Sequence, residues 1–128
     1  MNIKKIIIAL FGIILIVSMT VNSDGQRNKK VKITFIELGS VSCIPCRKMQ
    51  PIMKSLEKKY GEQLEVIFYD VWKPEYKDKA QKYGIKLIPT QIFMDALGKE
   101  IHRHEGYYPE AEIDKFLKSK GLKLKIKN

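Results

Sequence analysis

Two different spacings of apolar residues follow one another in the first half of the chain. From Val31 to Leu38 apolar and polar residues alternate before an apolar end, a period of two that predicts a mostly buried strand. From Cys43 to Tyr60 the apolar residues recur every three or four positions, which is typical of the inner face of a helix. Gly61 follows this segment, and glycine commonly ends helices. The pattern therefore predicts a strand, a turn and a helix.

The second half of the chain repeats these signals with shorter segments. The expected elements are a strand at Leu64 to Val71, a lysine-rich helix at Glu75 to Tyr83, a strand at Gln91 to Met94, a hairpin turn at Asp95 to Lys99, a strand at Glu100 to His104, and a last helix opened by Pro109. Pro109 suits a first helical turn because proline has a fixed φ and no N–H group. The order of strands and helices predicts an α/β domain.

The N-terminus differs from the rest of the chain. Lys4 and Lys5 precede an unbroken apolar run from Ile6 to Val17, the arrangement of a secretory signal peptide or of an uncleaved membrane anchor. Twelve residues are short for a spanning helix, which favours the signal peptide. We expect a leader at residues 1–23, a linker at 24–30 and one domain at 31–128. Either kind of leader places that domain in the periplasm or at the outer face of the cytoplasmic membrane.

Lysines give the chain a formal charge of +10. They are spread along the sequence and are not clustered with aromatic residues on one element, as nucleic-acid binding would require. We therefore expect a solvated basic surface and no nucleic-acid partner.

Both cysteines belong to one motif, Cys43-Ile44-Pro45-Cys46, at the predicted start of the first helix. Unpartnered N–H groups of a first helical turn favour a thiolate at Cys43, so this residue is the expected nucleophile. Cys46 lies one turn deeper and is the expected resolving thiol. Pro45 stiffens the loop between the two sulfur atoms.

A structural disulfide and a zinc site are the alternatives for these cysteines. A disulfide that closes so short a loop adds little stability. Zinc would need His102 and His104, which are far away in the sequence and two residues apart, unlike the usual spacing of zinc ligands. We expect both histidines to be exposed strand residues, with no metal bound.

Glu37 shares a strand face with Ile33 and Phe35 by alternation. A carboxylate on a buried face has a raised pKa, and Glu37 lies just before the cysteine loop, where it could exchange a proton with Cys46. The alternative is a strand-end glutamate turned to solvent.

Pro89 precedes the third strand, where a trans proline would interrupt the ladder, so we expect a cis Ile88-Pro89 bond.

These features together resemble the thioredoxin family over about Val31 to Lys120. The matching residues are Cys43-Ile44-Pro45-Cys46 with Arg47 and Met49, Pro51, Tyr83-Gly84-Ile85-Lys86-Leu87-Ile88-Pro89-Thr90, Gly98 and Gly106. The resemblance implies a thioredoxin-like fold, with a central mixed sheet flanked by helices, and a thiol–disulfide oxidoreductase that needs no bound cofactor. It implies that Cys43, Cys46 and Glu37 are catalytic. It places Ile88, Pro89, Thr90, Ile44 and Pro45 at the substrate, with a cis Pro89 facing the cysteines.

Four positions depart from a general thioredoxin: Ser42 replaces tryptophan, Ile44 and Leu87 replace glycines, and Glu37 replaces aspartate. With the leader, these departures look more like exported thioredoxin-like reductases. Such proteins receive electrons from a membrane thiol reductant and reduce particular protein disulfides, such as those of apocytochrome c. We expect a monomer with protein disulfide substrates.

Two other functions fit the same residues. An oxidase or isomerase of this fold differs only in redox poise, although the Ile-Pro pair between the cysteines lacks the histidine that often accompanies oxidising members. A thiol-based metal-binding chaperone would use the cysteines as ligands without turnover.

Overall fold

The computed structural model describes residues 31–125, which form four strands and three α-helices. The strands are β1 (Ile33–Gly39), β2 (Leu64–Asp70), β3 (Thr90–Asp95) and β4 (Glu100–Glu105). The helices are α1 (Ile44–Tyr60), α2 (Lys77–Lys82) and α3 (Glu110–Ser119), with single 3-10 turns at Gly61–Gln63 and Pro74–Tyr76. The predicted order of strands and helices is confirmed.

The four strands form one mixed sheet in the order β2–β1–β3–β4. Strands β1 and β2 are parallel, and α1 makes the crossover between them. Strand β3 runs antiparallel to both β1 and β4. Antiparallel neighbours need only a short turn, and the β3–β4 turn is closed by a 2.9 Å bond from Asp95 N–H to the Lys99 carbonyl. Gly98 occupies that turn with φ 79°, a value that favours glycine.

The two faces of β1 pack into two separate apolar cores. Ile33 and Phe35 belong to the larger core, under α1 and α3, and Ile36 and Leu38 belong to the smaller core on the opposite face. The larger core is centred on Phe35, whose ring stacks on Phe93 at 4.8 Å between centroids. The alternation read from the sequence therefore assigns each β1 side chain to its face.

Helix α1 is amphipathic and turns its apolar stripe to the sheet. Its buried residues are Cys46, Met49, Ile52, Met53, Leu56 and Tyr60. The helix ends at Gly61, which has φ 55° and donates its N–H to the Glu57 carbonyl. Burial of this stripe is the main force that fixes the helix to the sheet.

A polar cluster joins the ends of α1 and α3. Lys59 Nζ lies 2.6 Å from Glu110 Oε1 and 2.5 Å from Asp114 Oδ2. The Tyr60 hydroxyl donates to Asp114 Oδ1 at 2.9 Å, and the Ser55 hydroxyl donates to Glu110 Oε1 at 2.6 Å. Because these groups share partners, the cluster fixes the position of α3 more firmly than one exposed ion pair would.

Two predicted helices begin differently from expectation. The predicted helix at Glu75 to Tyr83 is divided, because Tyr76 has φ −119° and interrupts the path between the 3-10 turn and α2. Pro109 does not occupy the first turn of α3. Its ψ of 136° is extended, so it caps the helix, which begins at Glu110.

The predicted leader, residues 1–23, and the predicted linker, 24–30, lie outside the described residues. Within residues 31–125, no helix combines the length and the apolar character needed to cross a membrane.

Replacing Phe35 with alanine should lower the free energy of unfolding by about 3 to 5 kcal/mol, because it removes a stacked ring from a closed core. Chemical denaturation followed by circular dichroism measures this loss. Leu97→Ala is the control: Leu97 is 83% exposed, so its loss should stay within about 0.5 kcal/mol. Similar losses in both variants would contradict the assignment of Phe35 to the core.

Candidate active site

The cysteine pair lies at the start of α1, as predicted. Cys43 is the N-cap residue, with an extended backbone, and Cys46 occupies the first turn. The Cys46 N–H points at Cys43 Sγ at 3.4 Å. The two residues are joined by a disulfide, and their Cα atoms are 5.2 Å apart, within the usual range for disulfides. The backbone can therefore hold the oxidised pair without rearrangement.

The two cysteines differ in their access to solvent. Cys43 keeps 8% of its surface exposed, whereas Cys46 is completely buried. Exposed apolar side chains flank Cys43, since Val41 and Ile44 are 53% and 64% exposed. Of the two cysteines, a substrate can thus reach only Cys43 from solvent. Cys46 can react only with a group that is already attached to Cys43. This difference agrees with the predicted nucleophile and resolving thiol.

Gly39, at the end of β1, brings the strand against Cys46. A Cβ atom at position 39 would lie 3.2 Å from both Cβ and Sγ of Cys46 and 3.4 Å from the ring of Phe68. Contacts of 3.2 Å are tighter than nine in ten real Cβ contacts, so a side chain at this position would require Cys46 to shift by a few tenths of an ångström. From the sequence alone, Gly39 is expected only to begin the turn that runs to Ser42. A glycine that directly ends a buried strand was the available signal.

Glu37 is completely buried on the same face of β1 as Phe35 and Gly39. Neither carboxylate oxygen has a hydrogen-bond partner among the described residues. Burial raises the pKa of Glu37 to about 8, and the neighbouring Gln91 amide lowers it only in part. Gln91 Nε2 donates one of its two N–H groups to the Gly106 carbonyl at 3.1 Å. The alternative of a solvent-facing glutamate is excluded.

The Ile88-Pro89 peptide bond is cis, as predicted. Thr90 is paired with Leu38 across β1 and β3, so Pro89 lies beside the end of β1 from which the cysteine loop leaves. The Pro89 carbonyl accepts the Gly106 N–H at 2.7 Å. The loop that contains Pro89 is therefore held on the same edge of the sheet as the cysteines.

The predicted substrate residues differ in exposure. Ile44 and Pro45 are exposed and Ile88 is half-buried, whereas Pro89 and Thr90 are buried. The Thr90 hydroxyl donates to the Leu87 carbonyl at 2.7 Å, so its side chain supports the loop from inside. Contact of these five residues with substrate stays a prediction.

Asp70 is a site residue that the sequence analysis missed. It is 4% exposed, and its Oδ2 accepts the Val41 N–H at 3.2 Å while its Oδ1 accepts the Trp72 N–H at 3.2 Å. One carboxylate thus connects the cysteine loop to the segment after β2. The signal was weak, because an acid at a strand end is usually solvated.

The prediction that His102 and His104 are exposed is wrong. Both are half-buried on β4: aromatic side chains of β3 and α3 contact His102, and Tyr108, in the segment before α3, covers His104. His102 Nε2 lies 3.0 Å from the Tyr108 hydroxyl, and the His104 ring stacks on Tyr108 at 3.9 Å. Burial lowers the pKa of His102, with smaller contributions from the charges of His104 and Lys120. Within residues 31–125, no three His, Cys, Asp or Glu side chains are grouped to hold a metal ion.

Comparison with known proteins gives concordant matches. The family described as thioredoxin-like domain matches residues 20–121. Thioredoxin Y, chloroplastic, from Oryza sativa subsp. japonica is 31% identical over 90 residues, 70% of this chain and 52% of that protein, so the chain matches about half the length of this relative. Thioredoxin H4 from Arabidopsis thaliana is 30% identical over 103 residues, 80% of this chain and 83% of that protein.

A solved structure shows the same likeness. Reduced thioredoxin pre-protein from Schistosoma mansoni superposes with a TM-score of 0.58 at 25% identity, over 70% of this chain and 80% of that chain. The family match covers most of the sequence and includes both cysteines. The chain therefore belongs to the thioredoxin-like domain family, and its paired thiols make it a thiol–disulfide oxidoreductase.

Proposed function

We propose that this protein is a reductase of protein disulfides outside the cytoplasmic membrane. The observation that carries the thiol–disulfide exchange is the asymmetry of the cysteine pair, and the absence of a histidine between the two cysteines favours the reducing direction. Cys43 is accessible at a helix N-terminus, and Cys46 is buried next to the strand that carries a carboxyl group with a raised pKa. This arrangement suits an attack by one thiol followed by release through the other.

The first half of the reaction belongs to Cys43. Its thiolate attacks one sulfur of a substrate disulfide, a Cys43–substrate disulfide forms, and the second substrate sulfur leaves as a thiolate that takes a proton from water. The Cys46 N–H directed at Cys43 Sγ and the open end of the helix stabilise the attacking thiolate.

The second half belongs to Cys46 and Glu37. Cys46 must lose its proton inside the protein, where water does not reach its sulfur. Glu37 accepts this proton in its ionised form, which is the minority form near neutral pH because the pKa is about 8, and the Cys46 thiolate attacks Cys43 Sγ. The mixed disulfide breaks, the substrate leaves with both sulfurs reduced, and the protein holds the Cys43–Cys46 disulfide. Two electrons have passed from protein to substrate.

The location and the partners rest on the sequence. Lys4, Lys5 and the apolar run from Ile6 to Val17 support export or anchoring of the domain. A dithiol reductant in the membrane would then return two electrons to the pair. By family resemblance, disulfides such as those of apocytochrome c are the candidate substrates.

Cys46→Ser should accumulate a mixed disulfide with substrate, because attack by Cys43 proceeds and the release step is blocked. Cys43→Ser is the matched control and should accumulate none. The variants, expressed with their own leader, are compared on non-reducing gels of the fraction outside the cytoplasmic membrane. Equal trapping by both variants, or trapping only inside the cytoplasm, would contradict the proposal.

Glu37→Gln should stabilise the folded protein and also slow its turnover of disulfide substrates. The unfolded carboxyl ionises near pH 4.5, whereas the folded one stays protonated up to a pKa of about 8. Wild-type stability is therefore lost as the pH rises from about 4.5 to about 8, at up to about 1.4 kcal/mol per pH unit. Glutamine removes this loss, so the variant should be more stable by a few kcal/mol at pH 8 and equal near pH 4.

In the same variant, turnover of a protein disulfide should fall by about 10² or more, because general-base catalysis of this kind contributes at least that factor. Denaturation curves and rates measured across this pH range test both effects. A wild-type pH profile of turnover in Glu37→Gln would exclude the proton-transfer role, even if the stability change is found.

The reduction potential of the Cys43–Cys46 pair separates a reductase from an oxidase. We expect a reduction potential close to that of thioredoxin, which is about −270 mV. It is measured by equilibrating the protein with glutathione or dithiothreitol buffers. A value close to about −120 mV, as found in strong oxidants, would assign the protein to disulfide formation instead.

A further inference from the structure

An open groove of about 700 Å³ lies between the segment after β2 and the loop before β3. The residues that line it are Val71, Trp72, Lys77, Asp78, Ala80, Gln81, Ile85, Lys86, Leu87 and Ile88. We call it the Trp72 groove. None of these residues is one of the two cysteines or Glu37, and Ile88 alone is also one of the predicted substrate residues.

Two large apolar side chains of the Trp72 groove face solvent. Trp72 is 62% exposed and Leu87 is 45% exposed. Behind them, Ile85 and Ile88 are partly buried against the smaller core. Exposed tryptophan beside an apolar hollow is typical of binding surfaces, where such side chains anchor a partner.

Both walls of the groove are held in place relative to the cysteine loop. On one side, the Asp70 carboxylate binds the N–H groups of Trp72 and Val41, each at 3.2 Å. On the other side, the Thr90 hydroxyl fixes the Leu87 carbonyl at 2.7 Å, one residue before the Ile88-Pro89 bond. A chain bound in the groove would therefore lie at a fixed position beside Cys43.

The charge of the groove selects what it can bind. Residues 72–88 contain five lysines and two acids, a net charge of +3. Lys77 and Lys86 line the groove and are exposed, whereas Asp78, the acid of the lining, is paired with Lys79 Nζ at 3.2 Å. The groove thus offers an apolar platform with an uncompensated positive rim, and its complement is an apolar side chain next to a carboxylate.

We propose that the Trp72 groove recognises protein substrates in which an aromatic side chain and an acidic one lie next to the disulfide cysteine. The aromatic ring stacks on Trp72 and packs on Leu87, and the carboxylate pairs with Lys77 or Lys86. This inference rests on the proposed reductase function, because it assigns the substrate class of the same site. It gives the protein a preference among disulfides that the cysteine pair alone does not provide.

Three disulfides test the preference with the reduced full-length protein. The first is a symmetric dimer of a peptide joined through its single cysteine, with the pair Phe-Asp on each side of that cysteine. The second dimer has the pair Ser-Asn at the same positions. The third disulfide is the small molecule bis(2-hydroxyethyl) disulfide. We expect the reduced protein to react with the Phe-Asp dimer with a second-order rate constant about tenfold above that for the Ser-Asn dimer, which corresponds to about 1.4 kcal/mol.

Trp72→Ala should remove the preference for the Phe-Asp dimer and leave the rate with the small disulfide unchanged. Lys77→Glu combined with Lys86→Glu should also remove it through repulsion of the aspartate. The matched control is Lys115→Glu with Lys118→Glu, an equal change of charge on exposed positions of α3, which packs on the opposite face of the sheet. This control should keep the preference.

Binding can be measured separately from reduction. Trp72 is the single tryptophan of the chain, so its fluorescence reports directly on the groove. The Phe-Asp peptide with serine in place of cysteine should change this fluorescence in a saturable way, and the Ser-Asn version should not.

The outcomes distinguish the two proposals. Equal rates for the two peptide dimers in the wild type, or a preference that survives Trp72→Ala, would overturn recognition by the groove. Failure of the reduced wild type to reduce any of the three disulfides would overturn the reductase function itself.

Discussion

The structure depends on the close packing of the first turn of α1 against the end of β1. Because Gly39 has no side chain, Cys46 packs against the strand more closely than it would against a Cβ atom, which would meet Cys46 at 3.2 Å. The same packing closes the larger core above Phe35 and excludes water from Cys46 and Glu37. The burial of the Cys46 thiol and of the Glu37 carboxyl therefore depends on this packing.

This contact has a cost in stability that the chemistry requires. A carboxyl group with no hydrogen-bond partner among the described residues is unfavourable inside a core. The protein meets that cost by holding Glu37 protonated near neutral pH, since its pKa is about 8. A glutamate in water would be ionised at that pH and would have almost no affinity for the proton of a thiol. Burial thus makes Glu37 a suitable partner for Cys46 and also makes it a source of instability.

The surroundings of Cys43 are organised by backbone hydrogen bonds. The Asp70 carboxylate binds two N–H groups from different segments, and the Pro89 carbonyl binds the N–H of Gly106. Buried polar groups whose hydrogen bonds are all formed fix the loops in one arrangement. The cysteine loop, the Trp72 groove and the loop that contains Pro89 are consequently held together on one edge of the sheet, although Pro89 follows Cys43 by 46 positions in the sequence.

The sequence by itself determined the order of strands and helices, the N-terminal position of the cysteines on α1 and the buried face of Glu37, because these follow from local periodicity and residue type. It did not determine the division of the second helix at Tyr76, the burial of His102 and His104, or the role of Asp70. Only the tertiary structure decided the last two of these features, because they depend on residues from other elements: aromatic rings of β3 and α3 cover His102, Tyr108 covers His104, and the loop at Val41 meets Asp70. Periodicity reports which side of an element is buried, whereas the partner on that side is set by the packing of the whole sheet.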